Sequence, residues 1–246
     1  MAVLPWQKGV VTRITNETPA TKRFQITIPE LDVFHFKPGQ FVTLDLPIHD
    51  KPNKRWRSYS IASWPDGSNV FELVIVLLDG GAGTQYLFSE VVEGSELTLR
   101  GPLGVFTLPD PIEKDLYFIC TGTGIAPFRS MIHDILNKQT PHHHIYLLFG
   151  TRTMHDLLYY HEMKELETQV NSLHYLPTLS REKWDGCCGY VHDVYEDIIK
   201  NKKGQEETLP PAYFYLCGWK NMIDEARERI TALGYDRKAI HLELYG

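Results

Sequence analysis

The chain lacks any apolar run long enough to cross a bilayer. Stretches such as Leu73 to Leu78 fall far short of the roughly 20 residues that a spanning helix needs. Met1 to Gln7 shows no charged segment leading into an apolar run, so no secretion signal is read and the expected location is the cytoplasm. Cysteine is scarce. Cys120, Cys187, Cys188 and Cys217 form no C-x-x-C pair and no iron–sulfur spacing. Adjacent Cys187 and Cys188 read as ordinary reduced thiols. No metal site is expected at His142-His143-His144, because neighbours on an extended segment point to opposite faces. A basic excess is missing too. The net charge of −6 argues against nucleic acid as the main partner. Internal repeats and low-complexity tracts are absent.

What is present is ordinary globular composition, 43% hydrophobic and 23% charged, in 246 residues. That length suits one large domain or two small ones. The pattern divides in two. Residues 1–110 carry six short β-rich runs: Val10 to Ile14, Lys22 to Ile28, Gln40 to Leu46, Arg57 to Ile61, Val70 to Leu77 and Glu96 to Arg100. Pro, Gly and Asp clusters punctuate them, with one helix expected over Gly83 to Glu90. A small six-stranded antiparallel barrel follows. Residues 111–246 alternate instead. Strands are expected at Leu116 to Cys120, Ile145 to Phe149, Leu173 to Leu176, Tyr213 to Cys217 and Ile240 to Leu244. The helices between them span Ala126 to Asn137, His161 to Val170, Val191 to Lys200 and Asn221 to Leu233. This alternation predicts a five-stranded parallel sheet with helices on both faces, a doubly wound nucleotide-binding domain.

Three segments carry the chemistry. In Arg57-Ser58-Tyr59-Ser60, a guanidinium, a phenol and a hydroxyl meet at a strand end. They suit a flavin: Arg57 for the pyrophosphate, Tyr59 against the ring, Ser60 at its edge. Alone, the tetrapeptide reads more readily as a surface Arg beside a barrel-core Tyr. Downstream, Gly80-Gly81-Ala82-Gly83-Thr84 precedes a helix start, where free N–H groups and the dipole favour a phosphate; it also reads as a plain turn with a Thr cap. The second segment, Cys120-Thr121-Gly122-Thr123-Gly124-Ile125-Ala126-Pro127, joins a buried strand to a helix. Its glycines let phosphates approach the backbone, and Pro127 fits the first helical turn. The spacing is not the usual dinucleotide fingerprint. No acidic residue ends the next strand. Arg152, Ser180 and Arg181 lie beyond strand ends instead. They suit a 2′-phosphate, hence NADPH over NADH, and read otherwise as solvated surface residues. The third segment is Tyr215-Leu216-Cys217-Gly218-Trp219. It ends a strand where ligands bind in such sheets, with Cys217 and Gly218 small enough to sit beside a nicotinamide; a buried structural Cys is the alternative.

Taken in order, these motifs, together with Gly-Pro-Leu-Gly-x-Phe at Gly101 to Phe106, resemble the ferredoxin–NADP reductase superfamily over essentially the whole chain. The resemblance implies a Greek-key FAD barrel followed by a pyridine-nucleotide domain. It implies FAD held by Arg57, Ser58, Tyr59, Ser60, Gly81, Gly83 and Thr84. NADP(H) would be held by Thr121, Gly122, Thr123, Gly124, Ala126 and Pro127, with Arg152, Ser180 and Arg181 at the 2′-phosphate and Cys217 and Gly218 at the nicotinamide. The ending Glu243-Leu244-Tyr245-Gly246 resembles the Glu-x-Tyr terminus of plant-type members, in which the ring stacks on the flavin and moves to admit nicotinamide. Ser60, Cys217, Glu243 and Tyr245 are therefore the catalytic candidates. The implied activity is a flavoprotein oxidoreductase that passes electrons from NADPH to a separate ferredoxin, flavodoxin or oxygenase component. The alternatives are a flavin, ferric or quinone reductase with a small-molecule acceptor, and a FAD electron-transfer subunit of a larger complex. A basic run, Lys51, Lys54, Arg55 and Arg57 around Trp56, is read as a docking strip for an acidic carrier.

Overall fold

The structure is a computed structural model and describes residues 4–206 and 208–244. The first half supplies strands β1 (Gln7–Thr18), β2 (Thr21–Thr27), β3 (Phe41–Asp45), β4 (Trp56–Ser60), β5 (Val70–Val76) and β6 (Glu96–Leu103), with helix α1 (Ala82–Ser89) between the last two. They form one antiparallel sheet in the order β4-β3-β6-β1-β2-β5. Its two outer strands meet: Ile61 bridges Leu73, and the Ala62 N–H donates to Glu72 O at 2.8 Å. That closure removes the open sheet edges. Inward residues at period two, among them Val11, Phe24, Ile26, Val42, Leu44, Phe71, Leu73 and Leu99, fill the barrel.

The second half runs β7 (Asp115–Thr121), α2 (Ala126–Lys138), β8 (Ile145–Thr151), α3 (Tyr160–Gln169), β9 (Leu173–Leu179), β10 (Cys187–Cys188), α4 (Val191–Glu206), β11 (Ala212–Gly218), α5 (Lys220–Ala232) and β12 (Ile240–Leu244). The parallel order is β10-β9-β8-β7-β11-β12. Six strands thus replace the expected five. The sixth, β10, is two residues long and pairs Cys187 with Thr178 and Cys188 with Leu179. A pair that short has no periodicity to read in sequence.

Central β7 is buried from Asp115 to Cys120 because helices cover both sheet faces. Phe118 and Cys120 face α2 and α3, and that core continues into the barrel through Ala62, Val74 and Phe106. Tyr117 and Ile119 join the opposite core, with Val191, Tyr195, Ile223 and Ile230 from α4 and α5. The strand order reverses between β7 and its neighbours β8 and β11. In sheets of this kind, ligands bind at the carboxyl ends of the strands beside such a switch point. Among the described residues, no helix is long and apolar enough to cross a membrane.

Candidate functional site

Strand β4 and the start of α1 meet at Arg57. A Cβ on Gly83 would lie 3.0 Å from Arg57 Cγ and 3.2 Å from its Nε, so the glycine makes room for the arginine's stem. The guanidinium donates to the Lys54 and Trp56 carbonyls at 3.1 and 2.8 Å, and among the described residues no carboxylate pairs with it. Gly81 caps α1, and the first intrahelical bond runs from the Gln85 N–H to Gly81 O at 2.9 Å. The N–H groups of Ala82, Gly83 and Thr84 therefore precede the hydrogen-bond ladder, at the positive end of the helix. A positive fork beside open N–H groups fits the pyrophosphate of FAD. The Thr84 side chain braces the turn before this helix start. Its hydroxyl accepts from the Leu78 N–H and donates to Gly81 O, both at 3.0 Å.

Along β4, Ser58 reaches across to the Thr43 hydroxyl at 3.0 Å. Tyr59 is half-buried, and burial pushes its phenol up to about 12, with Arg57 pulling the other way. The phenol stays neutral and presents a flat apolar face. Ser60 is buried, 4% exposed, opposite Phe41 of β3.

The nucleotide turn is locked to the end of β11. A Cβ on Gly124 would fall 2.3 Å from Cys217 O, and one on Gly218 would fall 2.5 Å from Thr121 Oγ1. Only two bare α-carbons allow the turns to approach this closely. Thr121 Oγ1 accepts the Trp219 N–H at 3.3 Å. Gly122, at φ +54°, opens the 3₁₀ turn Gly122–Ile125 that leads into α2, with Thr123 inside it. Ala126 begins α2, and Pro127 occupies its first turn. The turn thus sets a helix start at the strand ends beside the switch point.

Parallel pairing sets Cys120, Cys217 and Glu243 side by side on β7, β11 and β12. Both thiols are fully buried. Burial, with Cys217 alongside, drives the Cys120 thiol well above its ordinary value. Glu243 is half-buried, and desolvation raises its carboxyl from 4.5 to about 7. Tyr245 lies outside the described residues.

At the far side of the sheet, Arg152 follows β8 and Ser180-Arg181 follows β9. The Arg181 N–H donates to Arg152 O at 2.9 Å, and the Ser180 N–H to Thr151 O at 3.0 Å. The fold therefore brings the two arginines together. Both are exposed, and among the described residues neither has a carboxylate partner. Tyr190 was not read from sequence; it is 67% exposed, and the bond from Gly189 N–H to Leu179 O at 2.9 Å holds it near Ser180. Trp219, which closes the third segment, has no role assigned by the sequence. It is 54% exposed with its indole nitrogen 3.8 Å from where a Gly122 Cβ would sit. Its place directly after Cys217-Gly218 was the available signal.

The basic strip is weaker than its sequence suggests. Arg55 forks onto Asp45, with Nε 2.6 Å from Oδ1, which cancels its charge. Lys51, Lys54 and Arg57 remain. His144 is not part of a triplet with its sequence neighbours: it pairs ring to ring with His174 on β9 at 3.0 Å. No cluster of three or more metal-ligating side chains occurs among the described residues.

Two family models match the chain in register with this geometry. The oxidoreductase FAD-binding domain covers residues 8–108, and the oxidoreductase NAD-binding domain covers residues 118–228. The cradle at Arg57 and Gly83 and the paired glycines at 124 and 218 fit those two groups. The protein is an NAD(P)H-dependent flavoprotein oxidoreductase of the electron-transfer type. It is 36% identical to ferredoxin–NADP reductase B of Sorangium cellulosum over 215 residues, 86% of each chain. It is also 32% identical to the electron transfer component of anthranilate 1,2-dioxygenase from Acinetobacter baylyi, over 87% of this chain but 59% of that protein. A ferredoxin NADP+ reductase from Neisseria gonorrhoeae, solved with FAD and NADP bound, shares the fold: TM-score 0.80 at 24% identity, over 98% of this chain and 99% of that one. The chain belongs to the ferredoxin–NADP reductase superfamily.

Proposed function

We propose that the chain accepts hydride from NADPH and delivers electrons to a separate protein, a ferredoxin, a flavodoxin or an oxygenase component. The observation that carries the reading is the convergence of three features at the carboxyl ends of β7 and β11. A phosphate-type helix start, a small-residue shelf at Cys217-Gly218 and a titratable carboxyl at Glu243 converge there, on the sheet face whose core runs into the barrel. FAD, when bound, supplies the conversion of a two-electron input into single-electron output, which no side chain performs.

The residues do the positioning. Arg57 and the N–H groups of Ala82 to Thr84 neutralise the flavin pyrophosphate, Tyr59 backs the ring, and Ser60 donates at its reactive edge. Thr121 to Pro127 hold the NADPH pyrophosphate. Arg152, Ser180 and Arg181 select the 2′-phosphate: two exposed arginines on hydrogen-bonded backbone segments, with no carboxylate partner among the described residues, suit a planar bidentate grip on a phosphate. Gly218 leaves room for the nicotinamide beside Cys217. Glu243, near neutral pH, holds or yields a proton at the same edge. Tyr245, on resemblance alone, is the movable ring over the flavin. The acceptor is drawn from the relatives, which are named as a ferredoxin–NADP reductase and an oxygenase electron transfer component. We divide the chain at 110/111 into a flavin and a nucleotide domain. The four cysteines, read as reduced thiols, suit a reducing compartment such as the cytoplasm.

The test is anaerobic mixing with NADPH in a stopped-flow cell, with and without purified carriers. The bound flavin's visible band should bleach, faster with NADPH than with NADH, and a cognate carrier should then be reduced well above background. Ser60→Ala should keep its FAD yet bleach at least about a hundredfold more slowly. An unbleached wild type, or a Ser60→Ala rate equal to wild type, defeats the assignment.

A further inference from the structure

Arg129 lies on α2 just past the nucleotide turn and is 7% exposed. Its Nη1 donates to Ala62 O at 2.9 Å, two residues beyond Ser60 on the flavin strand. The same nitrogen reaches the Glu72 carboxylate on β5 at 3.2 Å, and Nε donates to Glu162 of α3 at 2.6 Å. Glu72, itself 6% exposed, also accepts the Tyr159 hydroxyl at 3.0 Å and faces Arg23 at 3.9 Å. The Tyr159 N–H donates to Glu17 of β1 at 2.6 Å. The guanidinium lies over the rings of Tyr159 and Trp64 at 4.4 and 5.2 Å, and Trp64 stacks on His133 at 3.6 Å. One buried cation thus joins the helix that carries the phosphate turn to the strand end that carries Ser60.

Burying a charged network between two units is costly unless its geometry is worth fixing. Interfaces between units of one chain otherwise tolerate relative motion. Hydride transfer tolerates little, since a displacement of about 1 Å can lower a rate about a hundredfold. We propose that Arg129 is a positioning residue for hydride transfer: its bonds to Ala62 and Glu72 set the height of the nucleotide turn above the flavin strand. This rests on the reading that NADPH reduces FAD in this chain.

The test compares Arg129→Lys, Arg129→Gln and Glu72→Gln with wild type, all as FAD-loaded protein. Lysine keeps the charge against Glu72 and Glu162 but loses the fork that also reaches Ala62. Flavin bleaching at saturating NADPH should fall about tenfold in Arg129→Lys and further in Arg129→Gln, while FAD content and NADP+ affinity stay within about twofold of wild type. The difference spectrum that NADP+ induces in the flavin's visible band should shrink in parallel. Glu72→Gln, which preserves volume, should move both readouts the same way by a smaller factor. If Arg129→Gln does not fold, Arg129→Lys and Glu72→Gln decide. Wild-type bleaching and difference spectra in these two variants, or a loss confined to NADP+ affinity or FAD content, overturn the proposal. A wild type that NADPH fails to bleach overturns the functional reading instead.

Discussion

Gly124→Ala is the sharpest test of the nucleotide turn. A methyl there would sit 2.3 Å from Cys217 O, 2.6 Å from its carbonyl carbon and 2.9 Å from Gly218 N. Ordinary contact begins near about 3.5 Å. All three atoms are backbone, so no side chain can swing aside. The turn must therefore withdraw from β11 by about 1 Å, or β11 must yield by as much. Overpacking of this kind costs about 1–3 kcal/mol. The functional cost is set by the displacement: about a hundredfold in the hydride step, equivalent to about 2.7 kcal/mol in the barrier. Stopped-flow bleaching at saturating NADPH reads the step itself, and isothermal titration with NADP+ reads the binding. Thermal unfolding should show a modest loss, and FAD content should not change, since Gly124 meets Cys217 and Gly218 while the barrel cradle is built by Arg57 and Gly83. A Gly124→Ala protein with wild-type bleaching and wild-type NADP+ affinity would show that the contact between the turn and Cys217-Gly218 does not position the nucleotide.

Two further outcomes are expected. The double variant Arg152→Ala, Arg181→Ala should bind NADPH about tenfold more weakly and leave NADH within about twofold; steady-state KM values for both nucleotides check this, and equal losses would refute a 2′-phosphate role. Glu243 carries a raised carboxyl pKa, so it favours the folded state most below its unfolded value near 4.5, and that contribution fades as pH rises through about 7. Glu243→Gln should flatten this fall, and it should also remove any rate transition near pH 7. Urea titrations from pH 4 to 8 test the first effect, and a pH–rate profile tests the second.

The local segments were legible because each is written in a few contiguous residues. The strand–turn–helix of Leu116 to Asn137 shows an apolar run, two glycines and a proline at a helix start. Those features act over a single turn of chain, whatever surrounds them. The same holds for Gly81 to Thr84 before α1 and for the alternation that fills the barrel. The partners of charged side chains were not legible. Arg55 and Arg57 lie two residues apart, yet one is neutralised by Asp45 and the other is left open for an anion, because the β3–β4 pairing sets which side chain meets the carboxylate. Thr84 also braces its own turn, through bonds to Leu78 and Gly81 that its place in the motif does not announce. Arg129 looked like one polar residue on an amphipathic helix and is the buried tie between the two halves.

By itself, then, the sequence determined the order of elements, the two sheet types and the glycine turns that admit phosphates. These follow from backbone sterics and short-range periodicity. The tertiary structure alone decided the rest: that Gly124 and Gly218 meet, that Arg152 and Arg181 converge, that Glu243 is desolvated beside Cys217, and that Glu72 holds Arg129. Each depends on burial and on pairing between strands far apart in the chain. Desolvation and Coulomb energy are properties of the assembled surroundings, not of any stretch of residues.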